Sequence, residues 1–333
     1  MNEPILSILC AAFNHEETIE QTLISFIEQK TKYQFEIVIN DDSSTDATAS
    51  IIDKYWKKYP TIIKPIFQME NQYSKGVDIL KDILFPNAVG KYIAICEGDD
   101  FWCDNNKLEK QISFLESNNS YSASVHNTKI INENNRLLGF CYNGNERDIL
   151  KMNGLMDFPH TSSYVFKNPY RDVNINYLNL LSIEKFWDKT LALFMIKAGK
   201  VHYFSDTMSC YRYITNKGSS FQTRMRLKNC THMKIEAELQ HYNQILNYNL
   251  NFNISKHYYR NVIDYSIMFF LSEPNVENCK YVLMSFKRSP FSIHGYLLYC
   301  LLTIPSKCFR LLKKLVRLLL IRLKIWKDHK YED

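Results

Sequence analysis

The chain has 333 residues, of which 46% are hydrophobic and 23% are charged, a composition typical of folded proteins and unlike that of disordered ones. Its formal net charge of +6 is concentrated in residues 306–333, which carry nine Lys or Arg against three acidic residues. The rest of the chain is neutral, so nucleic-acid binding by the folded body is not expected, because phosphate neutralisation needs a basic face. Nine scattered cysteines without a CxxC pair predict a reducing cytoplasm and no zinc site.

The first 110 residues alternate strand and helix patterns in the order βαβαβαβ. Strands are predicted over residues 4–12, 35–40, 62–67 and 91–96. Helices are predicted over residues 16–29, from the DDSSTD turn to about residue 58, and near 77–84. Pro65 indicates that the third strand lies at a sheet edge, since proline cannot donate to a ladder. The pattern predicts an α/β fold.

Two acidic turns follow the second and fourth strands, DDSSTD (41–46) and EGDD (97–100). In open α/β sheets ligands bind outside the carboxyl ends of the strands, so the two turns can share one site. Two unit charges about 4 Å apart repel by roughly 4 kcal/mol at an effective dielectric near 20, so the carboxylates of EGDD indicate a bound cation. No GxGxxG or GxxxxGK[ST] motif accompanies the strands, so bound phosphates would need a metal.

Each acidic turn also has a local interpretation that needs no ligand. Asp41 and Asp42 can cap the following helix, although Ser44, Thr45 and Asp46 suffice for that. Residues 97–100 can be an ordinary polar surface loop, although Gly98 permits close approach of the backbone to a ligand. Both interpretations stay open at the level of sequence.

Four consecutive segments together resemble the family 2 glycosyltransferases: PILSILCAAFNHEETI, FEIVINDDSSTDATASIIDKY, YPTIIKPIFQMENQYSKG and GKYIAICEGDDFWCDNNKLEKQISFLE. The likeness is greatest to the bacterial subgroup with an EGDD-aromatic-Trp motif and covers residues 4–117 almost without gaps. Weaker likeness continues through HTSSYVFKN (160–168) and SCYR (209–212). The resemblance implies the A-type nucleotide-sugar-binding fold and an inverting, metal-dependent transfer from a nucleotide diphosphate sugar.

The resemblance also assigns roles around the donor. Asp99 and Asp100 would contact the ribose and hold Mn²⁺ or Mg²⁺, with Glu97 at a position where many relatives have Asp. Asp42 would accept from the imide N–H of a uracil, which favours UDP or dTDP over GDP and excludes this contact with cytosine. The remaining expected nucleotide contacts are Ala11, Phe13, Asn14 and Glu16. Ala11 and Ala12 replace the usual Pro-Thr pair, and Phe13 stands where many relatives have Tyr.

Transfer needs a base that deprotonates the acceptor hydroxyl. In relatives an acid eleven residues before a Gly supplies it, and counting back from Gly199 reaches Asp188, with Glu184 as the second candidate and helix capping as the local alternative. His160 is either an acceptor or phosphate contact or a buried, hydrogen-bonded histidine. Trp102 is either an acceptor-sugar platform or a core residue.

The C-terminal third divides into a predicted helical extension (221–290) and a tail (291–333), following a catalytic domain over 1–220. In residues 306–333, basic and leucine side chains fall on opposite sides of a helix, which predicts peripheral attachment to the inner face of the cell membrane. The alternative is a C-terminal helix docked on its own domain. The charge-free residues 289–306 contain two prolines and are too short to favour a membrane span.

Three hypotheses for function follow. The first is a transferase that moves sugar from a UDP-sugar to a saccharide acceptor, linked to polyprenyl diphosphate, in O-antigen or capsule assembly. The second is a nucleotide-sugar-binding protein that has lost catalysis, suggested by Ala11, Ala12 and by Thr215 where relatives often carry His. The third is a sugar nucleotidyltransferase, which would require a Gly-rich basic loop that AAFNHEE lacks.

Overall fold

The computed structural model describes residues 3–141, 145–149, 159–171 and 187–213, together with isolated positions between 259 and 286. The chain divides into two compact units, Met1–Arg224 and Met225–Asp333. In the second unit the described positions, among them residues 262–264 and 284–286, are helical. The predicted tail over 291–333 lies outside the described residues. None of the helices in the described part combines the length and hydropathy needed to cross a bilayer.

The first unit contains one ten-stranded mixed sheet. In chain order its strands are β1 (Leu6–Ala12), β2 (Phe35–Asp41), β3 (Ile63–Phe67), β4 (Tyr92–Ile95), β5 (Phe101–Trp102), β6 (Tyr121–Ile131), β7 (Leu137–Phe140), β8 (Arg147–Ile149), β9 (Val165–Lys167) and β10 (Lys200–Arg212). The main spatial order is β3-β2-β1-β4-β9-β6-β10-β5, with β7 paired to β6 and β8 paired to β10. The predicted edge position of β3 is confirmed.

Strand direction changes across the sheet. Strands β3, β2, β1 and β4 are mutually parallel, and β9 runs antiparallel to both β4 and β6. Strand β10 runs parallel to β6 and antiparallel to the two-residue strand β5. The chain therefore leaves the parallel half after β4 and immediately contributes β5 to the opposite side of the sheet.

Helices cover both faces of the sheet. They are α1 (Ile19–Ile27), α2 (Thr48–Lys58), α3 (Lys107–Ser117) and α4 (Trp187–Ala198), with a short π-helix over Ile79–Leu84. Ile19, Leu23 and Phe26 recur on one side of α1 and are fully buried in the core that α1 and α3 form with β1 and β2. A second core on the other face joins Leu84, Phe194 and neighbouring strand residues. The result is a three-layer arrangement with one core on each side of the sheet.

Gly90, which precedes β4, packs against the backbone of β1. A Cβ at this position would lie 2.5 Å from both the carbonyl carbon of Leu6 and the amide nitrogen of Ser7. Backbone atoms cannot move aside as a flexible side chain can, so Gly90→Ala is expected to lower the free energy of unfolding by about 3 kcal/mol, the upper end for overpacking. Urea denaturation measures this change.

Gly139 in β7 provides the matched control, because a Cβ there would meet no atom within 4 Å. Gly139→Ala is expected to change the free energy of unfolding by less than about 0.5 kcal/mol. Equal effects of the two substitutions would contradict the steric explanation.

Candidate active site

The loops that follow β1 and β2 are held together by hydrogen bonds. The amide of Asn14 donates to Ser44 Oγ at 2.9 Å, and the amide of Thr45 donates back to Asn14 Oδ1 at 2.8 Å. The amide of Ala47 donates to Glu16 Oε2 at 2.9 Å. Asn14 has a φ of 56°, a left-handed conformation that asparagine adopts more readily than most residues. Asn14 and Glu16, both predicted nucleotide contacts, thus use side-chain oxygens to join the two loops.

The end of β1 lies between the two acidic turns. The amide of Asp42 donates to the Ala12 carbonyl oxygen, and the amide of Gly98 donates to the Ala11 carbonyl oxygen, both at 2.9 Å. Each acidic turn is therefore one backbone hydrogen bond from β1. The structure brings DDSSTD and EGDD to the same edge of the sheet.

Asp42 is 3% exposed, and both of its carboxylate oxygens accept backbone hydrogen bonds. Oδ1 accepts from the amide of Gln72 at 2.8 Å, and Oδ2 accepts from the amide of Tyr73 at 3.1 Å. Asp42 therefore holds the loop that follows β3, an interaction that the sequence does not predict. Each carboxylate oxygen retains further acceptor capacity, so this role is compatible with a base contact. Phe13 is partly buried at the end of β1.

Asp100 is 1% exposed and lies beside Asp99, which is partly buried. Its Oδ1 accepts a hydrogen bond from the backbone amide of Arg212 at 2.9 Å. Burial, followed by the negative charges of Asp99 and Glu97, raises the pKa of Asp100 well above its ordinary value. A bound cation would therefore offset both the cost of burying this carboxylate and its repulsion by the neighbouring carboxylates.

Arg212, the last residue of β10, holds the EGDD turn in place through hydrogen bonds. Its Nη1 donates to the Asp99 carbonyl oxygen at 2.7 Å, and its Nη2 donates to Gln21 Oε1 on α1. The guanidinium carbon lies 4.8 Å from the centroid of the Phe101 ring. Arg212 therefore connects β10, α1 and the carboxylate turn. The sequence shows Arg212 only as the last residue of the SCYR segment and gives no sign of this role.

Two threonines of the α1 region hold the same turn through its carbonyl groups. Thr18 Oγ1 donates to the Gly98 carbonyl oxygen at 2.9 Å, and Thr22 Oγ1 donates to the Asp100 carbonyl oxygen at 2.6 Å. Thr22 is fully buried, and most of the other buried residues of α1 are apolar. Polar residues four positions apart on an otherwise apolar helix face are the sequence signal that could have revealed this contact.

Arg212→Ala is expected to reduce kcat about 30-fold, because it removes the donors to Asp99 and Gln21 and loosens the turn that carries Asp100. Arg212→Lys keeps the charge but cannot present the same forked set of donors, so a smaller reduction of about tenfold is expected. Steady-state kinetics checks both values. Arg136, exposed on the β6–β7 turn, is the control, and Arg136→Ala should leave kcat unchanged. Full activity of Arg212→Ala would contradict the positioning role.

His160 lies beside Asp100, with its Nδ1 3.6 Å from Asp100 Oδ2 and 2.9 Å from Ser162 Oγ. Its ring stacks on that of Tyr211 with centroids 4.4 Å apart. Burial lowers the pKa of His160 to about 4, so the imidazole is neutral at pH 7. The histidine is therefore both part of the site and hydrogen-bonded within the fold.

Trp102 is a core residue. It is 2% exposed, its Nε1 donates to the Ser162 carbonyl oxygen at 3.0 Å, and its ring centroid lies 4.6 Å from that of Phe26. Lys107 Nζ lies 4.2 Å from the indole centroid, and burial lowers the pKa of this lysine to about 7. This environment favours the core interpretation of Trp102 over the acceptor-sugar platform.

Asp99 and Asp100 have the oxygen donors that Mn²⁺ and Mg²⁺ prefer. Among the described residues no group of three or more His, Cys, Asp or Glu side chains is placed to hold a metal. Two carboxylates nevertheless fit these ions, which often keep one or two protein carboxylates and complete their coordination with phosphate oxygens and water. A bound ion would supply charge neutralisation for a departing diphosphate.

Asp188 is the second residue of α4, and its side chain lies outside the described residues. Glu184 also lies outside them. Gly199 directly follows α4, and a Cβ added to it would lie 3.1 Å from the Ser120 carbonyl oxygen. The base assignment therefore remains a prediction.

The model of the family "Glycosyl transferase family 2" matches residues 7–173, half of the chain. The chain belongs to this family. The match begins in β1 and spans both acidic turns and His160, whereas Arg212 lies beyond it. The family resemblance predicted from the sequence is confirmed.

Related family 2 proteins include enzymes of polysaccharide synthesis. This chain is 38% identical over 113 residues to the Escherichia coli UDP-Glc:alpha-D-GlcNAc-diphosphoundecaprenol beta-1,3-glucosyltransferase WfaP, covering 34% of this chain and 42% of WfaP. It is 32% identical over 113 residues to the putative teichuronic acid biosynthesis glycosyltransferase TuaG of Bacillus subtilis, covering 34% of this chain and 42% of TuaG. It is 32% identical over 212 residues to an uncharacterised protein of Mycobacterium bovis. That alignment covers 62% of this chain and 58% of the relative, so the chain spans less than two thirds of the relatives it matches.

Solved structures support the fold. The crystal structure of S. aureus TarS in complex with UDP superimposes with a TM-score of 0.56 at 17% identity, covering 84% of this chain and 80% of that one. The mannosyltransferase PcManGT from Pyrobaculum calidifontis, in complex with GDP-Man and Mn²⁺, gives a TM-score of 0.50 at 14% identity. The superposition covers 96% of this chain and 81% of PcManGT. At these identities the likeness shows the fold alone, and it confirms the A-type glycosyltransferase fold.

Proposed function

We propose that this family 2 glycosyltransferase moves a sugar from a UDP-sugar to a lipid-linked saccharide acceptor during surface polysaccharide assembly. The reaction is an inverting single displacement. Asp99 and Asp100 bind a divalent cation, and Asp188 deprotonates the acceptor. The enzyme works at the cytoplasmic face of the membrane.

The meeting of two acidic turns at one sheet edge is the observation that carries this proposal. Backbone hydrogen bonds from Asp42 and Gly98 to the last two residues of β1 bring both turns there. A nucleotide diphosphate sugar has two ends that need different partners, a base that needs a hydrogen-bond acceptor and a diphosphate that needs a cation. Asp42 supports the first contact, and Asp99 with Asp100 supports the second.

The donor and acceptor classes draw support from relatives. WfaP is named as a transferase that uses UDP-Glc and a diphosphoundecaprenol-linked acceptor, and TuaG is named for teichuronic acid biosynthesis. A carboxylate at Asp42 suits the imide N–H that uracil has and cytosine lacks. This contact favours UDP-sugars over CDP-sugars, and the UDP-Glc in the name of WfaP favours UDP-sugars over GDP-sugars.

A panel of nucleotide sugars tests the donor. Thermal unfolding is measured with each compound in the presence and absence of Mn²⁺, since a ligand at 100 times its Kd stabilises the folded state by about 2.7 kcal/mol. We expect stabilisation by one or more UDP-sugars that depends on Mn²⁺, and release of free UDP when acceptor is added. Equal stabilisation by CDP-sugars would contradict the role of Asp42, and equal stabilisation by GDP-sugars would contradict the preference for UDP-sugars.

The same assay separates the two alternative functions. Donor binding without UDP release in the presence of lipid-linked acceptors would favour the catalytically inactive binding protein. Pyrophosphate release from UTP and a sugar phosphate would favour the nucleotidyltransferase.

The basic tail supports a separate prediction about the membrane. Deleting residues 306–333 is expected to abolish co-sedimentation with vesicles containing anionic phospholipid, because each of the nine cations contributes about 1 kcal/mol near such a surface. Vesicles of neutral phosphatidylcholine are the control and should bind the full chain weakly. Unchanged co-sedimentation after the deletion would contradict attachment through the tail.

A further inference from the structure

The carboxylate of Asp100 has a neighbour at each of its two oxygens. Oδ1 accepts a hydrogen bond from the amide of Arg212, the last residue of β10, at 2.9 Å. Oδ2 lies 3.6 Å from His160 Nδ1, which is adjacent but too far for a hydrogen bond. Asp100 is 1% exposed, so little solvent surrounds it. The orientation of this carboxylate therefore depends on where the fold holds the His160 ring.

Three buried hydroxyl groups join the His160 ring to the sheet. His160 Nδ1 lies 2.9 Å from Ser162 Oγ, which donates to Ser209 Oγ at 3.0 Å. Ser209 Oγ in turn lies 2.8 Å from Thr128 Oγ1. All three hydroxyl-bearing residues are fully buried. They form a hydroxyl chain (Ser162, Ser209 and Thr128) that connects a ring beside Asp100 to strands β10 and β6.

The pairing of β6 with β10 places this chain. In the parallel register Ser209 lies opposite Thr128, and hydroxyl groups in such cross-strand positions can hydrogen-bond. Alternate residues of a strand share a face, so Tyr211 lies on the same side of β10 as Ser209. The Tyr211 ring stacks on that of His160 with centroids 4.4 Å apart. Strand β10 therefore holds His160 directly through Tyr211 and indirectly through Ser209 and Ser162.

The turn that follows His160 is fixed through its backbone. The amide of Ser163 donates to the His160 carbonyl oxygen at 2.9 Å, and Trp102 Nε1 donates to the Ser162 carbonyl oxygen at 3.0 Å. Gln111 Nε2 donates to the Ser163 carbonyl oxygen at 3.0 Å. Because the backbone is held in this way, the remaining freedom is that of the His160 side chain. The hydroxyl chain supplies the hydrogen bond that restricts it.

We propose that His160 is a positioning residue for the cation site and that the hydroxyl chain holds its ring in place. The ring limits rotation of Asp100 at Oδ2 while the Arg212 amide fixes Oδ1, so the carboxylate keeps one orientation toward a divalent cation. Groups that orient metal ligands without binding the metal typically change metal affinity by about 10- to 100-fold. This inference rests on the proposed function, because it takes Asp100 as a ligand of Mn²⁺ or Mg²⁺.

Binding of Mn²⁺ tests the inference without measuring transfer. Mn²⁺ is titrated into the full-length protein at a saturating concentration of UDP. Free Mn²⁺ is measured by electron paramagnetic resonance, and a titration of UDP without protein is the blank. His160→Ala is expected to raise the Kd for Mn²⁺ roughly tenfold, because the carboxylate of Asp100 can then rotate. Ser209→Ala is expected to raise it roughly threefold, since the ring remains but loses its anchor.

Ser122→Ala is the matched control for Ser209→Ala. Ser122 is also buried in the sheet, and its Oγ donates to the carbonyl oxygens of Met195 and Lys200 instead of joining the hydroxyl chain. This variant also loses buried hydrogen bonds, so urea should unfold it at about the same concentration as Ser209→Ala, while its Kd for Mn²⁺ should match that of the wild type. An equal rise in the Kd of both variants would overturn the positioning role.

Thr128 offers a second pair of variants if Ser209→Ala fails to fold. Thr128→Val keeps the shape of the side chain without its hydroxyl group and should raise the Kd for Mn²⁺ roughly twofold. Thr128→Ser keeps the hydroxyl group and should bind Mn²⁺ as the wild type does. If the wild type binds Mn²⁺ and His160→Ala and Thr128→Val bind it equally well, this inference is overturned and the proposed function stays intact. Absence of Mn²⁺ binding by the wild type would overturn the metal role itself and this inference with it.

Discussion

Asp100→Asn is expected to reduce kcat at least about 1,000-fold, one of the two largest effects predicted for this protein. A cation held by two carboxylates contributes several kcal/mol to stabilising a departing diphosphate, and about 4 kcal/mol corresponds to a thousandfold change in rate. The amide has the same shape as the carboxylate, and its oxygen can still accept from the Arg212 amide. The substitution therefore removes charge while conserving the packing.

Thermal unfolding separates loss of the cation site from loss of the fold. Because Asp100 is buried beside two other carboxylates, Asp100→Asn should not lower the unfolding temperature in buffer without metal. Mn²⁺ with a UDP-sugar should stabilise the wild-type protein and not the variant. Asp53→Asn, which removes an exposed carboxylate paired with Lys57 on α2, is the control and should retain both activity and Mn²⁺ dependence. Full turnover by Asp100→Asn would exclude the metal role.

Asp188→Asn is expected to reduce kcat by about 100-fold to 10,000-fold while leaving donor affinity unchanged. A general base contributes this much to rate because it removes the proton of the acceptor hydroxyl as the new bond forms. The donor does not need this group for binding. The Kd of the variant for the donor, measured by calorimetry without acceptor, should therefore match that of the wild-type protein. A decrease in kcat/KM without a change in donor Kd is the signature of a base.

Glu184→Gln is the comparison variant, since Glu184 is the second candidate for the base. We expect it to retain at least about half of the wild-type kcat. This decrease is much smaller than the one expected when the general base is removed. The reverse result, with Glu184→Gln inactive and Asp188→Asn active, would transfer the role to Glu184. Loss of donor binding in Asp188→Asn would show that Asp188 belongs to the donor site instead.

The sequence predicted the parallel half of the sheet closely. The four predicted strands agree with β1 to β4 within about two residues at each end, and the acidic turns follow β2 and β4 as expected. These features are local, because buried parallel strands require continuous apolar runs and the chain must turn where such a run ends. The common edge of the two turns follows from strand direction alone.

The surroundings of the carboxylates were not predictable in the same way. Asp42 accepts from the amides of Gln72 and Tyr73, and backbone amides carry no residue-specific signal in a sequence. Arg212 contacts the EGDD turn from 112 residues away, through the antiparallel pairing of β10 with the two-residue strand β5. So short a strand has no periodicity that could reveal its partner.

The sequence by itself determined which residues carry the chemistry: carboxylates at the ends of apolar strands, in an order and spacing characteristic of family 2. Only the tertiary structure decided how those carboxylates are held. Buried polar groups must find partners wherever the fold brings them, and here Arg212 and Thr22 come from separate parts of the chain. Long-range pairing depends on the packing of the whole sheet, which no local pattern encodes.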